Sequence, residues 1–544
     1  MIRDGDMRPE WIECSLSHTP EVAGVAGSET CDEQRTVREL LLALAAQAEV
    51  WVVPTEQAYA RIPVNGHYEN VPVRSRAFER WLSHRYYCIT NKAVGSASLR
   101  DALTTVEARA FYGDARRESV HIRVALYAGK LYLDLCDAAW RVVEIDAEGW
   151  RLLSSECCPV RFRRAPGMLP LPEPARGGTL SALRRYMRVS DSDWHLIAAW
   201  LVATMRPDVP IPILAVHGEQ GSGKSTISEL LRSLVDPNVA NLRAESRDVR
   251  DLMIAANNGY VIAFDNLSHL SPAFSDALCR LATGGGFGVR ALYTDDEERI
   301  FSALRPVLLN GISELATRSD LLDRTIIIWL DALSESDRCD RSRLLAAWEQ
   351  DRPFILGALL DRVSTALRHL PYVSISRLPR MADFALWAIA AEGGTDERSS
   401  EFWRAYARNR ESAHVLAVDA SPVASAIVEL VNERGNWQGT CSDLLELLVA
   451  RVHERDEALR SSHALGRALR RYGPNLRALG VFMQFVRVGK KRLVTITKQF
   501  PNGGNPVTGS HPLCSRCQTA MSARDGSWEC DRCGEFYVPP DTPH

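Results

Sequence analysis

Four short runs in the middle of the chain are apolar without a break: ILAVH (213–217), YVIAF (260–264), PVLLN (306–310) and TIIIWL (325–330). None alternates apolar with polar, so neither face of these segments is suited to water. That is the pattern of parallel strands covered on both sides. Helical periodicity fills the intervals, as in STISELLRSLV, where Ile227, Leu230, Leu231 and Leu234 share one face. The pattern predicts an α/β domain over 180–410, with a helical last part (345–410). Upstream, RTVRELLLALAAQAEV (35–50) has leucines at helical spacing, while VHIRVAL (120–126) and KLYLDLC (130–136) read as strands, so 36–165 is expected to be an α+β domain. The stretch 166–178, PGMLPLPEPARGG, holds four prolines and three glycines and reads as part of a linker over 166–179. Residues 1–35 are polar and irregular and read as disordered.

Downstream, SPVASAIVELVNERG, CSDLLELLVARV and SSHALGRALRRYGPNLRALG give three helices, and VFMQFVRVGKKRLVTIT gives two strands around a Gly-Lys-Lys turn. Residues 420–498 are therefore expected to form a separate small domain in the order of a winged helix. A linker, PNGGNPVTGS, leads to a cysteine-rich tail over 511–544.

Composition narrows the class. A hydrophobic content of 46% and a charged content of 24% are those of a globular protein. No apolar run approaches the roughly 18 residues of a membrane span, and MIRDGDMRPEWIEC lacks the apolar core of a secretion signal. Thirteen cysteines, nine scattered and four clustered at the end, fit a reducing compartment with one local metal site, so a cytoplasmic location is expected. The net charge of -3 means that contact with nucleic acid must be local.

The chain has only six lysines, and one stands in HGEQGSGKST (217–226). This is G-x-x-x-x-G-K-[ST], a phosphate loop, with Gly218, Gly221, Ser222, Gly223, Lys224, Ser225 and Thr226 as expected nucleotide-binding residues. The glycines let backbone N–H groups turn toward phosphate oxygens, Lys224 supplies a point charge for the β- and γ-phosphates, and Ser225 offers a hydroxyl to Mg²⁺. The strand before and the amphipathic helix after suit an anion at a helix N-terminus. A second strand, GYVIAFDN, ends in Asp265, the expected metal carboxylate. Its neighbour Asn266 can orient a water but cannot take a proton, which leaves the catalytic base unassigned.

With these residues in place, 180–330 resembles an AAA+ ATPase, and within that class the ATPases of phages and mobile elements related to superfamily-three helicases and primase-helicases. The resemblance rests on GEQGSGKST, LRAESRDVRDLMIAANNGYVIAFDNLS, LATGGGFGVRALYTDDEERIF and RPVLLNGISELATRSDLLDRTIII. It implies that Asn310 is a polar sensor beside the γ-phosphate. It also implies that Arg324, with Arg318 as a weaker choice, is an arginine finger acting on a neighbouring subunit. TGGGFGVRALYTDDEER takes the place of a DNA-tracking hairpin, with Arg290 and Tyr293 as contacts, although Asp295, Asp296, Glu297 and Glu298 oppose phosphate.

In the expected winged helix, basic residues collect on the third helix (Arg467, Arg470, Arg471) and in the wing (Arg487, Lys490, Lys491, Arg492), where DNA or a protein partner would be met. In the tail, Cys514, Cys517, Cys530 and Cys533 form two C-x₂-C pairs twelve residues apart, the spacing of a zinc ribbon holding Zn²⁺. In the N-terminal domain, Asp134 and Asp137 read as turn residues rather than a polymerase pair.

The expected protein is thus a cytoplasmic, ring-forming, homo-oligomeric (hexameric) ATPase using ATP and Mg²⁺. It would act on DNA in replication of a phage or mobile element, as a helicase, with no membrane partner. Two alternatives remain: an origin-binding initiator that does not unwind processively, and a nucleotide-driven regulatory or defence switch.

Overall fold

A computed structural model describes residues 36–245, 248–267, 270–290, 298–311, 319–332, 340–452, 456–488, 491–498, 522–524, 527–529 and 536–537. The N-terminal segment 1–35 and the four tail cysteines lie outside these. The first unit begins with α1 (Val37–Ala45), closed at its start by a reciprocal capping box between Thr36 and Glu39. Strands β1 (Glu49–Val53), β2 (Gln57–Val64) and β3 (His67–Pro72) follow as an antiparallel sheet, then α2 (Arg76–Thr90) and α3 (Ser96–Tyr112). The helices bury Leu41, Phe78, Trp81 and Leu103 against Val52, Ala60 and Ile62 of the sheet. The expected helix over 35–50 is therefore shorter than its apolar pattern, because Glu49–Val53 pairs with β2 instead.

Strands β4 (Val120–His121) and β5 (Val124–Tyr127) divide the predicted 120–126 run. Arg123 between them takes φ 61°, a left-handed conformation unusual for a non-glycine residue. Strand β5 continues into an antiparallel meander with β6 (Lys130–Asp134), β7 (Val142–Ile145) and β8 (Trp150–Leu153), and β9 (Arg161–Phe162) returns to pair with β4. Asp134 is ion-paired with Arg164 and Asp137 with Arg141, which gives both carboxylates a structural role.

The proline-rich stretch 166–178 is held along its length. Leu169 N–H donates to Pro237, Leu171 N–H to Leu135 and Ala175 N–H to Pro353. A side chain at Gly178 or Gly357 would collide with the Phe354 or Ala175 carbonyl, so both glycines permit this close approach. The prolines limit the conformations of the strap, and its N–H groups find partners on both flanking units.

After α4 (Asp191–Ala203) comes β10 (Ile213–Gly218), followed by α5 (Lys224–Val235), α6 (Val249–Asn258), β11 (Ile262–Leu267) and α7 (Pro272–Thr283). A hairpin of β12 (Gly286–Arg290) and β13 (Glu298–Ser302) precedes β14 (Val307–Gly311), the short α8 (Ser319–Leu322) and β15 (Thr325–Leu330). The four predicted apolar runs become one parallel sheet in the order β11-β14-β10-β15. Arg243 adds a single parallel bridge to Phe264 on β11, a rudimentary fifth position. One face (Leu214, Val216, Ala263, Leu308, Ile326, Ile328) packs on α4, α5 and the 29-residue α9 (Arg341–His369). The other packs on α6 and α7 through Ile213, Ile262, Phe264, Val307 and Leu309. Both faces are dry, as unbroken apolar strands require.

Helices α10 (Ala382–Ala391) and α11 (Glu401–Asp419) complete this unit, and α11 leads directly into the last one. There α12 (Pro422–Arg434), β16 (Asn436–Thr440), α13 (Cys441–Val449), α14 (Ser462–Ala478), β17 (Val481–Val488) and β18 (Lys491–Lys498) share one core, including Ile427, Leu444, Leu465, Leu476 and Ile496. Strand β16 is not evident in the sequence pattern. NWQGT has only Trp437 to bury, and it gains its place by pairing with β18.

A buried ion pair joins the units. Asp236, the residue that ends α5, accepts from Arg123 Nε at 2.9 Å and from the N–H groups of Tyr260 and Val261 at 2.9 and 3.0 Å. Arg123 also donates to the carbonyls of Asp134 and Leu169, at 3.0 and 2.9 Å, and both charged side chains have no exposure. Removing one partner leaves a charge without water or a counter-ion. Asp236→Ala should therefore lower stability by about 3–5 kcal/mol. The double variant Arg123→Met/Asp236→Leu should lose less than either single change, as read from urea unfolding midpoints.

Candidate nucleotide site at the end of the parallel sheet

The loop between β10 and α5 is built on glycines that other residues could not replace. Gly218, Gly221 and Gly223 have φ of 152°, 85° and 84°. A Cβ on Gly218 would stand 2.7 Å from Ser222 Oγ and 2.9 Å from the Leu330 carbonyl. Helix α5 starts at Lys224 with Gly223 as its cap and no side chain on its first N–H groups, so the positive end of the helix faces the loop. Lys224 Nζ donates to the carbonyls of Gly218 and Glu219, at 2.8 and 2.7 Å. Its charge therefore sits within the loop. Ser225 Oγ donates to Asp265 Oδ1 at 2.8 Å. Two side chains forty residues apart thus meet at the carboxyl ends of β10 and β11.

Asn266 adopts φ 52°, and the register of β11 on β14 shifts between Phe264 and Leu267. Asn310, at the end of β14, holds this bulge. Its Oδ1 accepts from Asn266 N–H at 2.8 Å and its Nδ2 donates to Ser228 Oγ of α5 at 3.2 Å. Asn310 is 1% exposed, so it braces three elements at once. Lys224, Ser225, Asp265, Asn266 and Asn310 are thereby gathered at one end of the sheet.

Arg324 is not gathered with them. Ile213 pairs with Thr325 and Gly218 with Leu330, so Arg324 stands at the opposite end of the sheet from the loop. Its Nη1 donates to the Asp320 carbonyl at 2.6 Å, while Nε is buried with no partner among the described residues. Arg290 ends β12 opposite Glu298; Tyr293 and Arg318 lie outside the described residues. Arg467, Arg470, Arg471, Arg487 and Arg492 are exposed. Arg487 and Arg492 oppose each other directly across the β17–β18 hairpin, and Arg470 covers the Phe485 ring at 5.0 Å. The Lys491 backbone lies in β18, and Lys490 is outside the described residues. Among the described residues no group of three or more His, Cys, Asp or Glu is arranged to hold a metal ion; Cys514, Cys517, Cys530 and Cys533 are not among them. Three short antiparallel strands, Ser522–Arg524, Ser527–Glu529 and Phe536–Tyr537, form a small sheet in that region. No single described helix is long and apolar enough to cross a membrane.

His217, passed over in the sequence, is part of the site. It precedes the loop, is 2% exposed, and neither ring nitrogen has a partner among the described residues. Its ring lies 5.2 Å from that of Trp329. Burial first, and the Lys224 charge second, push its pKa down to about 4. The unfolded chain takes up this proton near pH 6.5 and the folded chain only near 4. The stability due to neutral His217 is therefore complete above about pH 6.5 and is lost as pH falls toward 4. His217→Phe should remove that dependence. Between pH 7 and 4.5 the wild type should lose on the order of 2–3 kcal/mol more than the variant, measured by urea unfolding.

Residues 181–409 match the family described as actinomycete integrative conjugative element replication protein, and residues 423–507 match the AICE RepA C-terminal domain. A comparison with curated proteins finds no match. Among solved structures, SCCmec type IV Cch, described as an active helicase, aligns with a TM-score of 0.43 at 10% identity, over 83% of this chain and 93% of that one. The A form of the apo NrS-1 C-terminal region aligns with a TM-score of 0.36 at 12% identity, over 84% and 98%. The two matches follow one another along the chain, so residues 181–409 and then 423–507 are similar to a replication protein of actinomycete integrative conjugative elements and to the C-terminal domain of such a protein.

Proposed function

We propose that this mobile-element replication protein is an AAA+ ATPase that works as a ring-forming DNA helicase. The observation that carries the reading is the hydrogen bond from Ser225 to Asp265, beside Lys224 on a glycine-built loop at a helix N-terminus. These are the groups that a nucleotide triphosphate with Mg²⁺ requires: N–H donors and an ammonium for phosphate, and a hydroxyl and a carboxylate for the metal. The strand order, with β10 between β14 and β15 and the carboxylate strand β11 beyond β14, supports the AAA+ assignment. Asn310 serves as the polar group linking the loop helix to the metal strand, and Asn266 orients the attacking water.

Arg324 serves a neighbouring subunit. A strand-start arginine at the far end of the sheet does not reach its own loop, but it reaches the next subunit's γ-phosphate when subunits pack side by side in a hexamer. The 420–498 unit acts as a winged helix on DNA. Arg487 and Arg492, like charges in direct opposition, repel each other until an anion lies between them. The four tail cysteines hold Zn²⁺, a reading supported by their spacing alone.

An origin-binding initiator is the second reading. It is favoured by the acidic run Asp295, Asp296, Glu297 and Glu298 in the segment that would track a single strand, since four carboxylates oppose phosphate contact.

A strand-displacement assay with and without ATP separates the two, since only the helicase releases the strand. Lys224→Ala should abolish hydrolysis in a folded protein. Arg324→Ala should bind ATP and lose kcat by on the order of 10³ or more. Mixing the two variants should restore some activity, because an intact Lys224 site then faces an intact Arg324. A mixture that stays inactive although wild-type subunits assemble with each variant would refute completion of the site between subunits. Replacing Lys490, Lys491 and Arg492 with Ala should flatten the salt dependence of DNA binding, as fewer phosphates are neutralised.

A further inference from the structure

In the run TIIIWL every residue is buried except Trp329, which is 45% exposed. The indole is not left out for want of order. The main chain around it is pinned on the free side of β15, where Asn409 exchanges hydrogen bonds with Ile327 N–H and C=O. A fixed backbone therefore presents a large aromatic face to a hollow of about 140 Å³, lying between the start of α4, β15 and α11. That is about the volume of a cavity that takes one small aromatic molecule. Its polar wall comprises Ser192, Asp193, Arg408, Asn409 and Ser412.

Position in the sheet gives the hollow its meaning. Trp329 pairs with His217, the residue before the loop, and Leu330 pairs with Gly218, the first residue of it. One strand spacing, about 4.8 Å, separates the aromatic from the start of the phosphate loop. Behind the indole, His217 is 98% buried by complement of its 2% exposure, with both ring nitrogens unpartnered among the described residues. A polar ring held there without a partner is a second sign that a ligand completes this corner.

We infer that the hollow beside Trp329 receives the purine base of the nucleotide, stacked on the indole, with the Asp193 and Ser412 oxygens facing the base edge. The inference rests on the reading of 217–226 as a phosphate loop and adds the part of the ligand that the loop does not touch. Aromatic stacking is tolerant of which base it meets, so Trp329 supplies affinity for a base and the polar wall supplies the choice between bases.

The test compares ATP with inorganic tripolyphosphate, which has the phosphates and no base, by calorimetric titration of the full chain. Trp329→Ala should weaken ATP roughly tenfold or more, the scale of a lost stacking partner, and leave tripolyphosphate unchanged; Trp329→Phe should stay near wild type. Ser412→Phe, from an exposed position on α11, fills the hollow without touching the core and should weaken ATP in the same selective way. Its selectivity answers the case in which Trp329→Ala does not fold. Equal affinities of wild type and both hollow variants for ATP, or parallel losses for ATP and tripolyphosphate, would overturn the base site alone. Wild-type binding of tripolyphosphate by Lys224→Ala would overturn the phosphate-loop reading and the base site with it.

Discussion

The carboxylate of Asp236 decides how the rest of the molecule is put together. It has no exposure, so its charge must be met by Arg123 and by the N–H groups of Tyr260 and Val261 together. A buried pair of this kind contributes little net stability compared with an apolar replacement, yet it tolerates few alternatives, because any other arrangement strands a charge. Its members come from the N-terminal meander, the end of α5 and the approach to β11. One interaction thus fixes α5 against both neighbours. The left-handed φ of Arg123 is the local strain that this geometry requires.

With the far end of α5 held, its near end is positioned to within a hydrogen bond of Asp265. The same logic repeats on a smaller scale at Asn310, whose amide ties α5 to the bulge in β11. The strap over 166–178 extends the constraint outward, binding the meander, the Pro237 turn and α9. The N-terminal unit is consequently built onto the parallel-sheet unit by buried polar contacts, and Trp150 Nε1 donating to Asp361 and Ser364 donating to the Asp146 carbonyl add to the seam.

Helix α11 makes a second connection, toward the C-terminal unit. Asn409 at its middle grips the edge strand β15, and five residues on His414 contacts Asn475, a 2% exposed residue of α14, at 3.0 Å. Helix α11 thus lies between the edge strand of the parallel sheet and the helix that carries Arg467, Arg470 and Arg471, and this one packed helix touches both.

The sequence by itself determined the parallel sheet, the glycine-built turn between β10 and α5, and the aspartate near the end of β11. Unbroken apolar runs admit only strands buried on both faces, and glycine, lysine and serine at fixed spacing have a local chemistry that needs no distant partner. The hairpin after α14 was legible for the same reason, from a Gly-Lys-Lys turn between β-rich segments. What the tertiary structure decided was everything that depends on partners far along the chain. Proline and glycine in 166–178 read as a loose tether, but its N–H groups are bonded to residues that only the fold brings near. NWQGT became β16 through pairing with β18. His217 and Trp329 looked like two more residues of two apolar strands, and only the parallel register of β10 on β15 sets them side by side at the loop. Pattern reports the preferences of a segment for water or for a local turn; it is silent on which neighbour a buried polar group will find, because that is set by register and packing across the whole chain.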